Sequence, residues 1–562
     1  MARSNWGASH GNQTPKTYRD ANREDSSTAA ESTATVLSAK RVRSLTSQNG
    51  TQPPMDTKGC LSQGKVNRMN NQAGRNVLRT VRDTDDPGLP ITFGPCSNGE
   101  YDPEPTDTVR SEMMGLALAE CELGADETGV SRRDFLRSAC ATAATLWAID
   151  QTAMVAAGRS IGGRYQIAAD ALRDPTVART VIGAGEFVFD MQGHLLEYDL
   201  DPSTRGNWFW GNSFPQADCG YEEDARACFS MNHFLEEMFI RSDTTMTALS
   251  GLPILPEGSP LPPEVMEETR RVVTALGVDS RILVNALALP QLGPLQGVLD
   301  EMERTVAEQT VSGWKTFTHF PSGWFLDDHD PNLPQVGDQF LQHIKQLGKP
   351  VLCIHKGLSG GARIGSPVDV GPAAVAHPGV KFVIYHSGYE VGTTEGPYTA
   401  ETADRGVNRL VSSLSRAGVV PGENVYAEIG STWWHLLRRP EQAAHVLGKL
   451  LVAVGEDNLL WGTDSIFYGS PQGQIDALRA FEITPEFQER FGYPELTKER
   501  KRKILGENAA RLYNIAPIRS GLYFSPEDLA EARSQHPVAM RTWGPTTKAE
   551  VKDFREHHRG WP

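Results

Sequence analysis

The chain has 562 residues, 39% hydrophobic and 22% charged, and its 55 basic against 70 acidic side chains leave a formal net charge of −15. That length supports a large buried core and more than one region, while the acidic balance excludes a general nucleic-acid binder, which needs a basic surface to neutralise phosphates. The longest nearly apolar stretch, 139–149, has about 11 residues against the ~20 of a spanning helix, so no integral membrane segment is expected; seven scattered cysteines form neither a zinc ribbon nor a disulfide-dense scaffold.

Residues 1–128 are rich in Ser, Thr, Asn, Asp, Arg and Gly and carry no strand or helix period. Their composition predicts a disordered or mis-called extension. Segment 129–158 contains Ser131-Arg132-Arg133-Asp134-Phe135-Leu136-Arg137, which resembles the twin-arginine export motif of bacterial proteins. A short apolar stretch interrupted by Asp150 follows, then Ala156-Ala157-Gly158, small residues that suit a signal peptidase. A start at Met113 or Met114 would bring the motif close to the N-terminus. The plainer alternative is an amphipathic helix with a surface arginine pair. Export implies a periplasmic or secreted protein, otherwise a cytoplasmic one. Export of the folded chain suits a protein that acquires metal first, and an oxidising destination would permit a Cys219–Cys228 bridge.

From about 183 onward, short apolar runs alternate with amphipathic stretches. Strands are predicted at 186–194, 245–252, 281–289, 313–319, 350–356, 381–387, 424–430 and 458–464. Helices are predicted at 263–276, 294–309, 335–347, 406–416, 440–454 and 472–481, with a closing helix at 497–515. Strands separated by helical connections indicate an α/β fold with a parallel sheet, most simply a (β/α)8 TIM barrel over 183–515. A doubly wound open sheet is the rival, but no glycine-rich fingerprint follows the first strand. Residues 516–562 read as a short, polar C-terminal extension.

Four of the predicted strands end on residues that carry chemistry. The first ends Phe189-Asp190-Met191-Gln192-Gly193-His194, and a period of two puts Asp190, Gln192 and His194 on one face. The fifth ends on His355, the sixth on His386 and the eighth on Asp464, each directly after an apolar run. A single such residue is ordinary, a hydrogen-bonded group at a strand end. Their recurrence at the same point of four barrel strands would bring imidazoles and a carboxylate to one centre, which is what a Zn²⁺-type ion requires.

These residues, with Trp461-Gly462-Thr463-Asp464-Ser465, resemble the amidohydrolase superfamily over 183–515. The similarity is to its amidohydrolase-related branch, the one that includes aminocarboxymuconate-semialdehyde decarboxylase. The resemblance implies one divalent ion, Zn²⁺ first and Mn²⁺ as the alternative, held by His194, His355 and Asp464. It implies His386 as the group that activates water or polarises substrate, with Asp464 also catalytic. The strand-one motif of the branch is Asp-x-His-x-His, and here its first histidine is Gln192, counted as a further donor to the metal. An amide oxygen is a weaker zinc donor than imidazole. The substitution therefore leaves open a site with three strong ligands, a preference for a harder ion, or a barrel that binds without catalysis.

The leading expectation is a metal-dependent hydrolase acting on a small organic substrate, such as an aromatic acid. Non-oxidative decarboxylation is the alternative, and a non-catalytic ligand-binding barrel the third reading. Lys315, Glu428 and Trp433 are the expected substrate contacts. Lys315 shares a strand face with His319, Glu428 is a carboxylate inside an apolar strand, and Trp433 offers an aromatic surface. A small-molecule partner is expected, and a homo-oligomer is left open.

Overall fold

The computed structural model describes residues 88–183, 185–196, 229–253, 259–276, 281–320 and 322–517, all within the compact unit Gly64–Pro562. Cys219, Cys228 and residues 518–562 lie outside the described residues, as do 1–87.

Eight parallel strands form one sheet in sequential order: β1 Phe189–Gly193, β2 Met246–Ser250, β3 Ile282–Leu287, β4 Gly313–Phe317, β5 Val351–His355, β6 Lys381–Tyr385, β7 Val425–Glu428 and β8 Leu459–Leu460. Met191 N–H donates to the Trp461 carbonyl at 3.0 Å and a bridge joins Gly193 to Ser465, which brings the last strand back to the first. This is the predicted (β/α)8 barrel. Every strand lies within its predicted span, because each apolar run is bounded by polar or glycine-containing turns. The predicted helices are also present, among them Pro263–Ala275, Leu295–Glu308, Pro440–Val454 and Gln472–Ala480.

Alternation along the strands divides the apolar residues into two layers. Phe189, Met246, Val351, Cys353, Val383, Tyr385, Tyr426 and Leu460 pack together inside the barrel. Val284, Trp314, Leu352, Ile354, Phe382, Ile384 and Ala427 face the helices. Ala509, Ala510 and Leu512 of the closing helical segment join the interior layer, and Tyr513 stacks on Phe189.

The N-terminal region departs from its predicted disorder over 88–128. Residues 88–107 run as an irregular strap, and α1 (Thr108–Thr128) follows. Asp107 caps α1 by accepting from Arg110 N–H, and Gly129 ends it with φ 71°. Met113, Ala117, Cys121 and Ala125 are buried at a spacing of four, one face of a helix. That stripe is hidden by the polar composition around it, which is why the average texture misleads.

The twin-arginine-like stretch is built into the same layer. Ser131 caps the short α2 (Arg132–Leu136), and α3 (Ala139–Ala157) packs on α1 through Ala141, Ala143 and Ala144. Leu146 and Ile149 of α3 reach the main core. Asp150 accepts from Tyr165 N–H at 2.7 Å. It thereby anchors the strand Gly163–Tyr165, which pairs antiparallel with Phe481–Ile483 in a separate two-stranded sheet. Among the described residues no helix is long and apolar enough to cross a membrane.

Candidate metal centre

The expected strand-end residues converge at the C-terminal ends of β1, β5, β6 and β8. His194 Nε2 lies 3.2 Å from Asp464 Oδ1. Gln192 Nε2 donates to the same oxygen at 2.8 Å and stands 3.4 Å from His386 Nε2. The His355 and His386 rings meet edge to face with centroids 4.6 Å apart. All four of His194, His355, His386 and Asp464 are at most 3% exposed.

Asp190 is not where strict alternation puts it. The β1–β2 register shifts between Asp190 and Gly193, so a bulge separates Asp190 from Gln192 and His194. Its carboxylate serves the backbone instead. Oδ1 accepts from Gln192 N–H and Thr463 N–H, both at 3.0 Å, and Oδ2 accepts from the Thr463 hydroxyl. Asp190 thus pins the end of β1 to the Trp461–Ser465 turn and orients both Gln192 and Asp464.

The imidazoles are aimed by their second nitrogens. His194 Nδ1 is 2.8 Å from the Ser250 carbonyl and His386 Nδ1 is 2.8 Å from the Gly430 carbonyl. A carbonyl only accepts, so each Nδ1 carries a proton, and His386 Nε2 turns a lone pair to the centre. Burial lowers His386 to about 4, against the opposing pull of Asp464. Burial, then the neighbouring His386 and Lys315, hold His355 well below the usual histidine range. Burial pushes the Asp464 carboxyl up, but the His194 hydrogen bond and the Ser431 hydroxyl leave it below the usual carboxylate range. The centre therefore holds neutral His355 and His386 beside an ionised carboxylate.

The backbone there is strained. His386, Ser431 and Asp464 have φ values of 64°, 54° and 59°, a left-handed region that non-glycine residues avoid. Glu428 helps to hold one of these turns. It accepts from His386 N–H at 3.2 Å and from Gly430 N–H, and burial raises its carboxyl well above the usual range. Its place is therefore beside His386, as a positioning residue.

Lys315 is fully buried on β4. Its Nζ has no hydrogen-bond partner and lies 3.8 Å above the Tyr385 ring and 4.6 Å from that of Phe317. Burial lowers the ammonium to about 8, although Glu100 and Asp464 attract it. Trp433 stands apart from this group. Its indole N–H donates to the Gln474 carbonyl at 2.9 Å and its ring meets Phe481 edge to face. It is 1% exposed and packed within the main core.

Two site residues come from the strap and were not foreseen. Asn98 Nδ2 donates to Asp464 Oδ2 at 2.7 Å and to Glu100 Oε2 at 2.6 Å. Glu100 Oε1 is 3.3 Å from His355 Nε2. Glu100, His355 and His386 form a group whose ligand atoms all lie within 4.8 Å of one another. Glu100 itself is solvent-exposed, yet the loss of water around its carboxyl and then Asp464 raise it to about 8. Ser431 is a third unforeseen contact, donating to Asp464 Oδ2 at 2.6 Å.

The donor set fits a divalent cation. His355 Nε2 is buried without a hydrogen-bond partner. Orphaned buried polar atoms are costly, and a metal satisfies such lone pairs. Nitrogen with carboxylate oxygen suits both Zn²⁺ and Mn²⁺.

A parallel eight-stranded barrel with histidines and an aspartate gathered at its strand ends defines a (β/α)8 barrel with a candidate metal centre. In particular, residues 261–515 match the family model described as Amidohydrolase. The matched span holds Lys315, His355, His386, Glu428 and Asp464, whereas β1 and the strap precede it. No curated protein matches the chain. Among solved structures, the 5-carboxyvanillate decarboxylase LigW from Sphingomonas paucimobilis is 15% identical, with 59% of this chain and 99% of that one covered and a TM-score of 0.36. A 2,6-dihydroxybenzoate decarboxylase from Rhizobium is 17% identical, with coverages of 58% and 99% and a TM-score of 0.34. A mutant form of the 5-carboxyvanillate decarboxylase LigW2 from Novosphingobium aromaticivorans, with bound manganese, is 13% identical, with coverages of 59% and 98% and a TM-score of 0.36.

Proposed function

We propose that the protein is a metal-dependent carboxy-lyase that removes carbon dioxide from a small aromatic or unsaturated acid. The observation that carries this reading is Lys315. A buried ammonium with no hydrogen-bond partner is unfavourable, and a substrate carboxylate would supply its missing acceptor. Tyr385 and Phe317 beside it provide apolar surface for a planar acid. Hydrolysis of a neutral ester or amide, placed first from the sequence, leaves the Lys315 ammonium without an anionic hydrogen-bond acceptor.

His194, His355 and Asp464, with an oxygen donor beside them, would hold Zn²⁺ or Mn²⁺. The ion would supply Lewis-acid stabilisation of negative charge on the substrate. The remaining chemistry belongs to the chain. Lys315 binds the anion and fixes its orientation. His386 Nε2 presents a lone pair, takes up a proton as substrate binds, and returns it to carbon once the carbon–carboxyl bond has broken. The electron pair of that bond stays on carbon until the proton arrives. Asp464 lies beside His386 as a counter-charge to the imidazolium.

The test is turnover of matched compounds, a set of hydroxybenzoic acids against their methyl esters and primary amides, with Mn²⁺ or Zn²⁺ added to chelator-treated protein. Carbon dioxide released from acids, with esters and amides untouched, is the expected result. Hydrolysis of the neutral compounds without carbon dioxide release would return the reading to a hydrolase. Binding of the acids with no product from any compound would favour a non-catalytic barrel.

A further inference from the structure

We propose that Glu100 is a resident ligand of the metal, delivered by the N-terminal strap in place of the strand-one imidazole that Gln192 does not provide. The inference deepens the metal-dependent reading and rests on it.

Three observations converge. First, Gln192 turns its amide nitrogen to the centre. Nε2 sits between Asp464 Oδ1 and His386 Nε2, at 2.8 and 3.4 Å. The reverse orientation would set the amide oxygen against a carboxylate, which repels it. An amide nitrogen has no lone pair to give, so Gln192 donates to the ligands and leaves a donor position unfilled. Second, His355 Nε2 is 1% exposed as a residue, has no hydrogen bond, and faces Glu100 Oε1 at 3.3 Å. Third, two carboxylates are brought together here. Glu100 and Asp464 share the amide of Asn98 at 2.6 and 2.7 Å. Glu100 stands at the solvent-exposed rim of the centre, and two carboxylates held this close repel each other unless a cation lies between them.

The strap holds Glu100 in place. Glu104 bonds Arg439 at 2.9 Å and Arg110 at 3.2 Å. Arg438 donates to the Thr92 carbonyl at 2.9 Å, and Tyr101 bonds Tyr468 hydroxyl to hydroxyl at 3.2 Å. These contacts flank Glu100 on both sides, so its carboxylate is presented by a fixed segment.

The experiment uses the full chain, stripped of metal by chelator and titrated with Mn²⁺ by calorimetry and electron paramagnetic resonance. Wild type, Glu100→Gln, Glu100→Ala, the exposed strap control Asp102→Asn, and the double variant Glu100→Gln/Gln192→Glu are compared. Wild type and Asp102→Asn are expected to bind one ion. Both Glu100 variants should bind at least ~100-fold more weakly, beyond the roughly 10- to 100-fold typical of outer-shell losses. The double variant, with a carboxylate restored on β1, should recover affinity. Equal Mn²⁺ affinity in wild type and both Glu100 variants would overturn the assignment, and faster turnover in those variants would identify the strap as a plug. Wild type that takes up neither Mn²⁺ nor Zn²⁺ would defeat the metal-dependent reading itself.

Discussion

Replacing Lys315 by methionine should make the protein more stable while weakening its grip on acids. The fall of the buried ammonium from its ordinary 10.5 to about 8 corresponds to about 3 kcal/mol of cost at neutral pH. Against this stand the cation–π contacts with Tyr385 and Phe317, together about 1–2 kcal/mol. The net gain of about 1–2 kcal/mol should raise the unfolding midpoint by about 1–3 °C in a domain of this size. The pH dependence has a definite sign. Between pH 8 and 10.5 the unfolded lysine binds more protons than the folded one, so wild-type stability rises across that window. Lys315→Met should lack that rise. Loss of a charge-assisted bond of about 1.5–3 kcal/mol should weaken a bound benzoate-type acid by roughly 10- to 150-fold and leave the matching amide unaffected. Scanning calorimetry at pH 7 and pH 10 gives the first quantity, and titration calorimetry with the acid and amide gives the second. A midpoint several degrees lower at pH 7, or unchanged acid affinity, would refute the reasoning.

Other changes separate chemistry from scaffold. Asp464→Asn together with His355→Ala should abolish metal uptake, read by mass spectrometry of purified protein. His386→Asn should stop turnover while metal content stays near that of wild type. Lys356 and Asp369 form a fully buried pair at 2.8 Å; Lys356→Met strands the carboxylate and should destabilise the fold by about 3–5 kcal/mol in denaturant titrations. Glu104 is held below the usual carboxylate range, first by His435 and also by Arg439. Its contribution is therefore present above about pH 4.5 and lost as the pH falls further, and Glu104→Gln should make the strap the earliest site of limited proteolysis.

The barrel was legible because its strands are short apolar runs separated by amphipathic helices, and the same logic located His194, His355, His386 and Asp464 at strand ends. Alternation failed at Asp190, where a bulge changes the parity, and a bulge leaves no mark in a five-residue strand. Trp433 is ambiguous in sequence, because a tryptophan pair near a strand end reads the same whether it lines a site or fills a core. Asn98 and Glu100 were hidden for a different reason. They sit in irregular backbone, in Cys96-Ser97-Asn98-Gly99-Glu100, where no period exists to be read. The one available signal was the spacing of Met113, Ala117, Cys121 and Ala125, which marks α1 and hence an ordered region well upstream of the first barrel strand.

Asn98 and Asp464 are 366 positions apart in the chain. A ribosome adding about 5–20 residues per second emits the strap some 20–70 s before its aspartate partner. Until then Asn98 and Glu100 have no barrel mouth to enter, and β8, the last barrel strand to leave the tunnel, completes both the sheet and the proposed ligand set. An incomplete translation product therefore carries histidines but not the finished centre, so loading with metal becomes a late event that reports on a full-length chain.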